Sequence, residues 1–526
     1  MRSLILCALV AAAVAAPATA LAQEDFEAFR RREAQQMQNF MSREDSAFTS
    51  FLKREWKDFE LSLADRPLVR PKPTARPVAP PRPSVEPAGA PLPSGDVPAV
   101  STTPRGATPI AAPRAADRPT PSSPVLPGGA VPSASVLPSA APRTRPLPAP
   151  RGLSGAPTNA LNTIFYGALV SLPKVDLGLK PMPAELTSQA IADFWQQISS
   201  APTKDLLAGL KRQRDMMALG DWAYAQLVYR TSLGLAANDT SAARLIAWHL
   251  LVKSGYVARV GFKGSTVHVL LKSNELLYGT SFFTIDNARY YVIDLAGGLA
   301  PSVGSIRTYD RDHPEATRAL GFQMASLPIF AEELQPRVLR FQYRQQKYEI
   351  PVGVNRNLID FLTYYPQTEL PGYLNAEIES TAMDNLVGAL RPHVAGRSEL
   401  DAVNFLLRMV QTSFEYKTDR DQFNREKWFF PEETLFYPFS DCEDRSILFA
   451  YLVRKLVPSV SVVGLIYADH IATAIRFSSA VPGDSRMHDG ARYVVSDPTY
   501  IGADAGMEMP QYKTASPKIV EARAFR

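Results

Sequence analysis

Pro438-Phe439-Ser440-Asp441-Cys442-Glu443-Asp444-Arg445 is the stretch on which the reading of this chain turns. Ser440 followed three residues later by Glu443 has the form of a capping box. The apolar run Ile447, Leu448, Phe449, Tyr451, Leu452 and Val453 then continues as a buried helix. The pattern predicts Ser440 as the N-cap and Cys442 in the first turn. Backbone N–H groups of a first turn have no intrahelical acceptor, so they favour a thiolate and can hold an oxyanion. One turn of helix therefore offers both a nucleophile and a hole.

Upstream, Arg2, an apolar run from Leu4 to Val14 and small residues ending at Ala20-Leu21-Ala22 form the three-part layout of a secretory signal peptide, residues 1–22, cleaved after Ala22. The expected location is periplasmic or secreted. Cys7 leaves with the leader, so Cys442 is left alone in an oxidising compartment, where a single thiol calls for a reason. A buried inert thiol is the bland alternative. No later stretch supplies the roughly 18 apolar residues of a membrane-spanning helix.

Residues 23–64 predict one charged helix, because Phe26, Met37, Phe48 and Phe59 recur every eleven residues, and Phe29, Phe40 and Phe51 each follow three residues after the first three. An 11-residue period keeps an apolar stripe nearly straight, suited to a partner helix or to the protein's own body. Residues 65–152 predict a linker, since Leu68 to Pro150 carries about half of the 45 prolines. In polyproline II geometry it could reach on the order of 200 Å. From Arg66 to Arg151 there are 11 Lys/Arg against 3 Asp/Glu, a balance of +8 that exceeds the whole chain's +5 and leaves the rest at −3. Basicity belongs to the linker, and no nucleic-acid partner follows from it.

Beyond the linker the composition is globular and of α+β type. Helices are expected at Ala184–Trp195, Leu206–Leu219, Trp222–Leu233, Ala242–Val252, Glu377–Leu390 and Glu399–Gln411. Alternating strands are expected at Ala258–Phe262, Thr266–Leu271, Ala288–Ile293, Val338–Ile350 and Pro351–Val354. The boundaries drawn are 153–325, a β-rich insert at 326–376, and 377–526 around Cys442.

Two more residues in the last region have the chemistry a cysteine nucleophile needs. His470 follows the strand Ser461–Ile466 and opens another, and Asp497 ends the strand Ala491–Val495 after a hairpin-type turn at Asp489-Gly490. Imidazole on one strand can take the thiol proton while carboxylate on its neighbour fixes the tautomer. Asp401 to Tyr512 resembles the transglutaminase-like, papain-like superfamily, on Asp441-Cys442-Glu443-Asp444, His470 and Asp497-Pro498-Thr499-Tyr500. With Trp428-Phe429-Phe430-Pro431-Glu432-Glu433-Thr434-Leu435 ahead of them, these residues look like those of the bacterial periplasmic transglutaminase-like cysteine proteinases. The resemblance implies a papain/transglutaminase-like core, Cys442 as nucleophile, His470 as general base and acid, and Asp497 as orienting carboxylate. No cofactor is required by that chemistry. The resemblance does imply calcium at Asp441 and Glu443, for which a capping role of Glu443 is the competitor. Ile471 departs from the family, where an aromatic often follows the histidine. Gln422, Trp428 and Tyr437 are the candidates for a side-chain oxyanion donor.

A second copy is visible upstream. Asp286-Asn287-Ala288-Arg289-Tyr290-Tyr291-Val292-Ile293-Asp294 aligns with Asp489-Gly490-Ala491-Arg492-Tyr493-Val494-Val495-Ser496-Asp497 with six identities in nine. Ser241, His268 and Asp294 are separated by 27 and 26 residues, against 28 and 27 for Cys442, His470 and Asp497. An internal duplication with a degenerate first copy is expected, with a Ser241-His268-Asp294 triad as the less favoured version. Two functional classes follow. One is an exported thiol enzyme on protein or peptide substrates, most simply a cysteine protease and otherwise an acyl transferase to amines. The other is an inactive scaffold recruited to a protein partner by its N-terminal helix.

Overall fold

Helix starts in this chain are written by short polar side chains. Thr187 accepts from Ala190 N, Asp239 from Ser241 N and Ala242 N, Asn355 from Asn357 N, Ser380 from Met383 N and Ser398 from Asp401 N. Each satisfies a first-turn donor that the helix cannot. The structure is a computed structural model. It describes residues 28–29, 31–33, 35–36, 39, 42–54, 56–62, 77–79, 160–183, 185–298, 303–376 and 378–523. The expected signal peptide at 1–22, the stripe residues Phe26, Met37 and Phe40, and most of the linker lie outside them.

The first half begins with a helix, α1, through 42–52, and a strand, β1 (Lys57–Glu60). A hairpin follows, β2 (Ala160–Phe165) and β3 (Ala168–Pro173), then α2 (Ser188–Ser199), α3 (Lys204–Met216), α4 (Asp221–Leu235) and α5 (Thr240–Lys253). Five strands complete it: β4 (Ala258–Lys263), β5 (Thr266–Ser273), β6 (Phe282–Ile285), β7 (Ala288–Val292) and β8 (Ser305–Thr308). They form an antiparallel sheet in the order β1-β8-β4-β5-β7-β6. The apolar α5 is buried on nearly every face from Ala242 to Val252, as a helix between a sheet and other helices must be.

The second half repeats that order. The hairpin β9 (Leu334–Tyr343) and β10 (Gln346–Asn355) leads into α6 (Arg356–Thr363), α7 (Leu370–Leu374), α8 (Thr381–Val394) and α9 (Glu399–Ser413). An excursion carries β11 (Glu415–Tyr416), α10 (Asp419–Phe423), α11 (Pro431–Phe436) and β12 (Phe439–Ser440) before the buried α12 (Cys442–Leu456). The sheet then adds β13 (Ser461–Ile466), β14 (Ile471–Arg476), β15 (Ser485–His488), β16 (Ala491–Ser496) and β17 (Lys518–Ala522), in the order β15-β16-β14-β13-β17. Read from the other edge, this is the arrangement of β8-β4-β5-β7-β6. In both halves the early hairpin packs on the two helices ahead of the central one, β2 on α4 and β3 on α3, β9 on α9 and β10 on α8. Both sheets turn at the aligned dipeptides, Asp286-Asn287 and Asp489-Gly490, with all four residues at positive φ.

Three expectations are corrected. Residues 23–64 are not one helix: the helical turns stop after Leu52, and Lys57–Glu60 is a strand on β8, because Trp56, Phe59 and the sheet edge offer burial that a continued helix would forgo. The segment docks on its own protein, with Phe48, Leu52 and Trp56 buried and Phe48 packed against Trp195, Trp248, Tyr309 and His313. The residues described ahead of 42 are exposed, with Phe29 54% accessible. The region 326–376 is not a β-rich insert: only β9 and β10 are strands, α6 and α7 are helices, and the hairpin packs on its own half's helices. Its turn falls at Arg344-Gln345 and not before Pro351, which β10 tolerates because a two-stranded sheet is all edge. Residues 77–79, assigned to the linker, pair with Ile501.

Candidate functional site

Cys442 is the first residue of α12. The cap lies one residue later than expected: Asp441 is the N-cap, and its N–H is accepted by Asp444 Oδ2 at 3.2 Å. Ser440 sits instead in β12, where its hydroxyl accepts from Arg445 Nε at 3.1 Å. Arg445, wholly buried, also donates to the carbonyls of Gln411 (3.3 Å) and Phe414 (2.9 Å), tying the helix start to the end of α9. The thiol donates to Glu443 Oε2 at 3.1 Å. Cys442 is 1% exposed.

His470 stands one residue before β14. Its Nε2 meets Asp497 Oδ2 at 2.8 Å, with both side chains buried. Asp497 follows β16, which pairs with β14; continued, that register sets Asp497 opposite Ala472, two residues from His470, so the two side chains meet on a diagonal. The second oxygen of Asp497 accepts from Thr499 N (2.8 Å) and Tyr500 N (3.3 Å), which fixes the carboxylate. Since Nε2 is engaged, Nδ1 is the ring nitrogen left for proton exchange with a reacting group. Ser446, one turn after Cys442 on the same helix face, donates to the carbonyl of Ile471 at 3.1 Å and so ties this face of α12 to the opening of β14. Two tyrosines lie nearly parallel to the imidazole, Tyr512 at 5.1 Å and Tyr467 at 6.2 Å between centroids, and at 4.7 Å from each other, so both are on one side of it. The Tyr512 hydroxyl bonds Asp469 Oδ1 at 3.0 Å, and burial, then that carboxylate, raise this phenol and keep it protonated. Neither tyrosine was assigned a role from sequence; no spacing marks an aromatic over a histidine.

Five carboxylates gather behind the helix start in overlapping trios: Asp441 and Glu443 with Cys442, Asp419 with Glu426 and Glu443, and Asp419 with Asp441 and Asp444. Within each trio the donor atoms lie within 4.8 Å of one another. Leaving the thiol aside, the donors are all oxygen, the set a hard cation such as calcium takes and zinc does not favour. Asp419 and Asp444 have structural work as well, accepting from Lys427 N and Phe429 N. Neither stands at a spacing that marks it as a ligand, and Asp419 arrives from the α10 excursion.

Of the oxyanion candidates, Trp428 Nε1 donates to Glu426 (3.2 Å) and the Tyr437 hydroxyl is paired with Thr363 (3.1 Å), while Gln422 lies half-buried on α10. Ser241, His268 and Asp294 are not joined by hydrogen bonds. Ser241 Oγ bonds Ser265 O at 3.5 Å, Asp294 accepts from Ala296 N, and His268 lies inside β5, where burial and then Arg244 lower it to about 4. The serine version of the triad is absent. Compared with family models, curated proteins and solved structures, the chain matches none.

Proposed function

We propose that this chain is an exported thiol enzyme with a papain/transglutaminase-like core, opening or transferring peptide acyl groups through a thioester on Cys442. The observation that carries the reading is the His470–Asp497 pair at the opening of β14, the strand to which Ser446 ties the helix that Cys442 begins. In the proposed reaction His470 Nδ1 takes the Cys442 proton as Sγ attacks the acyl carbon, and the imidazolium is stabilised by Asp497. The oxyanion that forms takes hydrogen bonds from the first-turn N–H groups. Collapse breaks the C–N bond, and the departing amine receives its proton from Nδ1. Water, deprotonated by the same nitrogen, hydrolyses the thioester; an amine in its place completes an acyl transfer.

A thiolate beside Glu443, Asp441 and Asp444 meets like-charge repulsion. Calcium held by Asp441, Glu443, Asp419 and Glu426 would supply the positive charge that removes it. We assign the first half to a degenerate copy, on the shared order of elements and strands. Cleavage is favoured over scaffolding because the histidine and aspartate are joined on the correct nitrogen, which a scaffold does not require.

The test is the rate of Cys442 alkylation against pH in the mature protein, in wild type and His470→Ala, with calcium and with a chelator. Rapid reaction well below the unperturbed thiol value of about 8.5, slowed by the substitution and by chelation, supports an activated thiolate. A slow thiol indifferent to His470 would transfer the role to the scaffold reading. Adding a primary amine to a cleaved peptide then separates the two enzymes, through amide product or acid.

A further inference from the structure

Pro77, Val78 and Ala79 belong to a stretch whose composition forbids a core, yet they are held against the second half. Ile501 N donates to Pro77 O at 2.9 Å, and Ala79 N donates to Ile501 O at 2.7 Å, a parallel bridge through Val78. Ile501 thus gives both of its backbone groups to the segment. Ala79, 8% exposed, packs in the same apolar cluster as Tyr467, Tyr500 and Tyr512, of which Tyr467 and Tyr512 lie along one side of the His470 ring, while Val78 is 66% exposed. Ile501 is no distant edge: Tyr500 N is bound by Asp497 itself, and Gly502 N by Gln411, whose amide also donates to Asp497 O.

A short edge that grips a peptide by alternate backbone groups accepts extended polypeptide largely irrespective of side chain. Proline at 77 removes no bond there, because only its carbonyl is used, and the proline-set φ reduces the ordering cost of docking. We propose that the Ile501 edge is a docking site for an extended peptide strand beside the His470–Asp497 pair, and that Pro77–Ala79 is a tethered occupant competing with substrate for it. The competition rests on the thiol-enzyme reading; the docking does not. Fourteen residues, 63–76, join the bridge of Ser62 on Phe282 to Pro77, so the occupant is held at both sheets by one short piece of chain. Such tethering gives an effective concentration of roughly millimolar, which a free substrate must exceed in affinity.

The test uses the full mature protein and Ala79→Arg, which cannot bury its side chain among the tyrosines, with Ala79→Asp as a second variant. Three quantities are read: hydrogen exchange at the Ile501 amide, Cys442 alkylation by iodoacetamide, and Cys442 alkylation by a peptidyl acyloxymethyl ketone that extends along the edge. The proposal expects Ile501 exchange to rise, the peptidyl reagent to react at least fivefold faster in both variants, the small reagent to change less than twofold, and a synthetic peptide of residues 74–82 to reverse the gain. Faster Ile501 exchange with an unchanged peptidyl rate would overturn the competition and leave the thiol enzyme standing. A Cys442 inert to both reagents in every form would instead overturn the thiol enzyme, and the competition with it. Unchanged exchange in both variants would overturn the docking.

Discussion

The two halves of this protein share a frame and differ in what interrupts it. In the first, four residues, 236–239, separate α4 from α5; in the second, twenty-eight, 414–441, separate α9 from α12. That longer excursion delivers Asp419 and Glu426 to the acidic cluster and carries the chain through β12 to Cys442. The strand connections differ too. β4 and β5 are joined by the two-residue turn Gly264-Ser265, which draws His268 into the ladder opposite Gly261. β13 and β14 are joined by four residues, Tyr467 to His470, so His470 stands outside the ladder and reaches Asp497. Counted from the aligned valines, Val292 opposite Leu270 and Val495 opposite Ala474, His268 falls at the place of Ala472 and not at that of His470, so the two sheets share a frame but not a histidine position.

The largest expected effect separates the halves by activity. Once a cleaved peptide is in hand, Cys442→Ala should abolish turnover and His470→Ala should lower it by about 10²–10⁴-fold. Ser241→Ala and His268→Ala should each stay within about twofold of wild type. A comparable loss from Ser241→Ala would place chemistry in the first half and break the contrast.

Stability should divide the other way. Phe48 sits among Trp195, Trp248, Tyr309 and His313, and Phe48→Ala should cost about 3–5 kcal/mol by urea unfolding. The alkylation rate of Cys442 in the folded variant should be unchanged. A slower thiol reaction with native unfolding would mean that α1 serves the second half, contrary to its packing.

Much of the frame was legible because it rests on local rules. The helices from α2 to α5, and α8 and α9, follow apolar periodicity and caps, and the paired turns at Asp286-Asn287 and Asp489-Gly490 follow from residues that accept positive φ. The nearness of His470 and Asp497 followed from their places at the ends of neighbouring strands. Other features needed tertiary context. An eleven-residue stripe could not disclose that Trp56 and Phe59 gain more in a sheet edge than in another helical turn. Ser440 and Asp441 are both good caps, and the choice between them was made by Arg445, which takes the serine hydroxyl. Asp419 and Glu426 lie more than fifteen residues ahead of Cys442, with no spacing that marks them as its neighbours.

An intermediate effect concerns how the N-terminal helix is held. Burial raises the Asp45 carboxyl, but the close approach of His313 Nε2 at 3.3 Å, the hydrogen bond from Lys253 and the Lys253 charge outweigh it and leave it below its usual range. A depressed carboxyl stabilises the fold above its unfolded value, about 3.9, and that contribution is lost as pH falls through the lower folded value. Asp45→Asn should therefore cost about 2 kcal/mol at pH 7 and progressively less below pH 4. Urea midpoints at pH 7 and pH 3 measure it. A loss independent of pH would assign the contribution to packing.

The smallest effect tests whether the two hairpin turns are equivalent. Gly490 has φ +73° and a Cβ there would meet no atom within 4 Å, so Gly490→Ala is penalised by backbone conformation alone, at about 1 kcal/mol. Asn287 occupies the aligned place at φ 61°, and Asn287→Gly should be neutral or slightly stabilising because glycine enters that region without strain. Denaturant midpoints of the two variants decide the matter. The second hairpin ends at Asp497, and if its turn also fixes the carboxylate, Gly490→Ala will slow Cys442 alkylation beyond what its stability loss predicts. If the rate is unchanged, Thr499 N and Tyr500 N are sufficient to hold Asp497, and the turn is a shared structural part with no share in the chemistry.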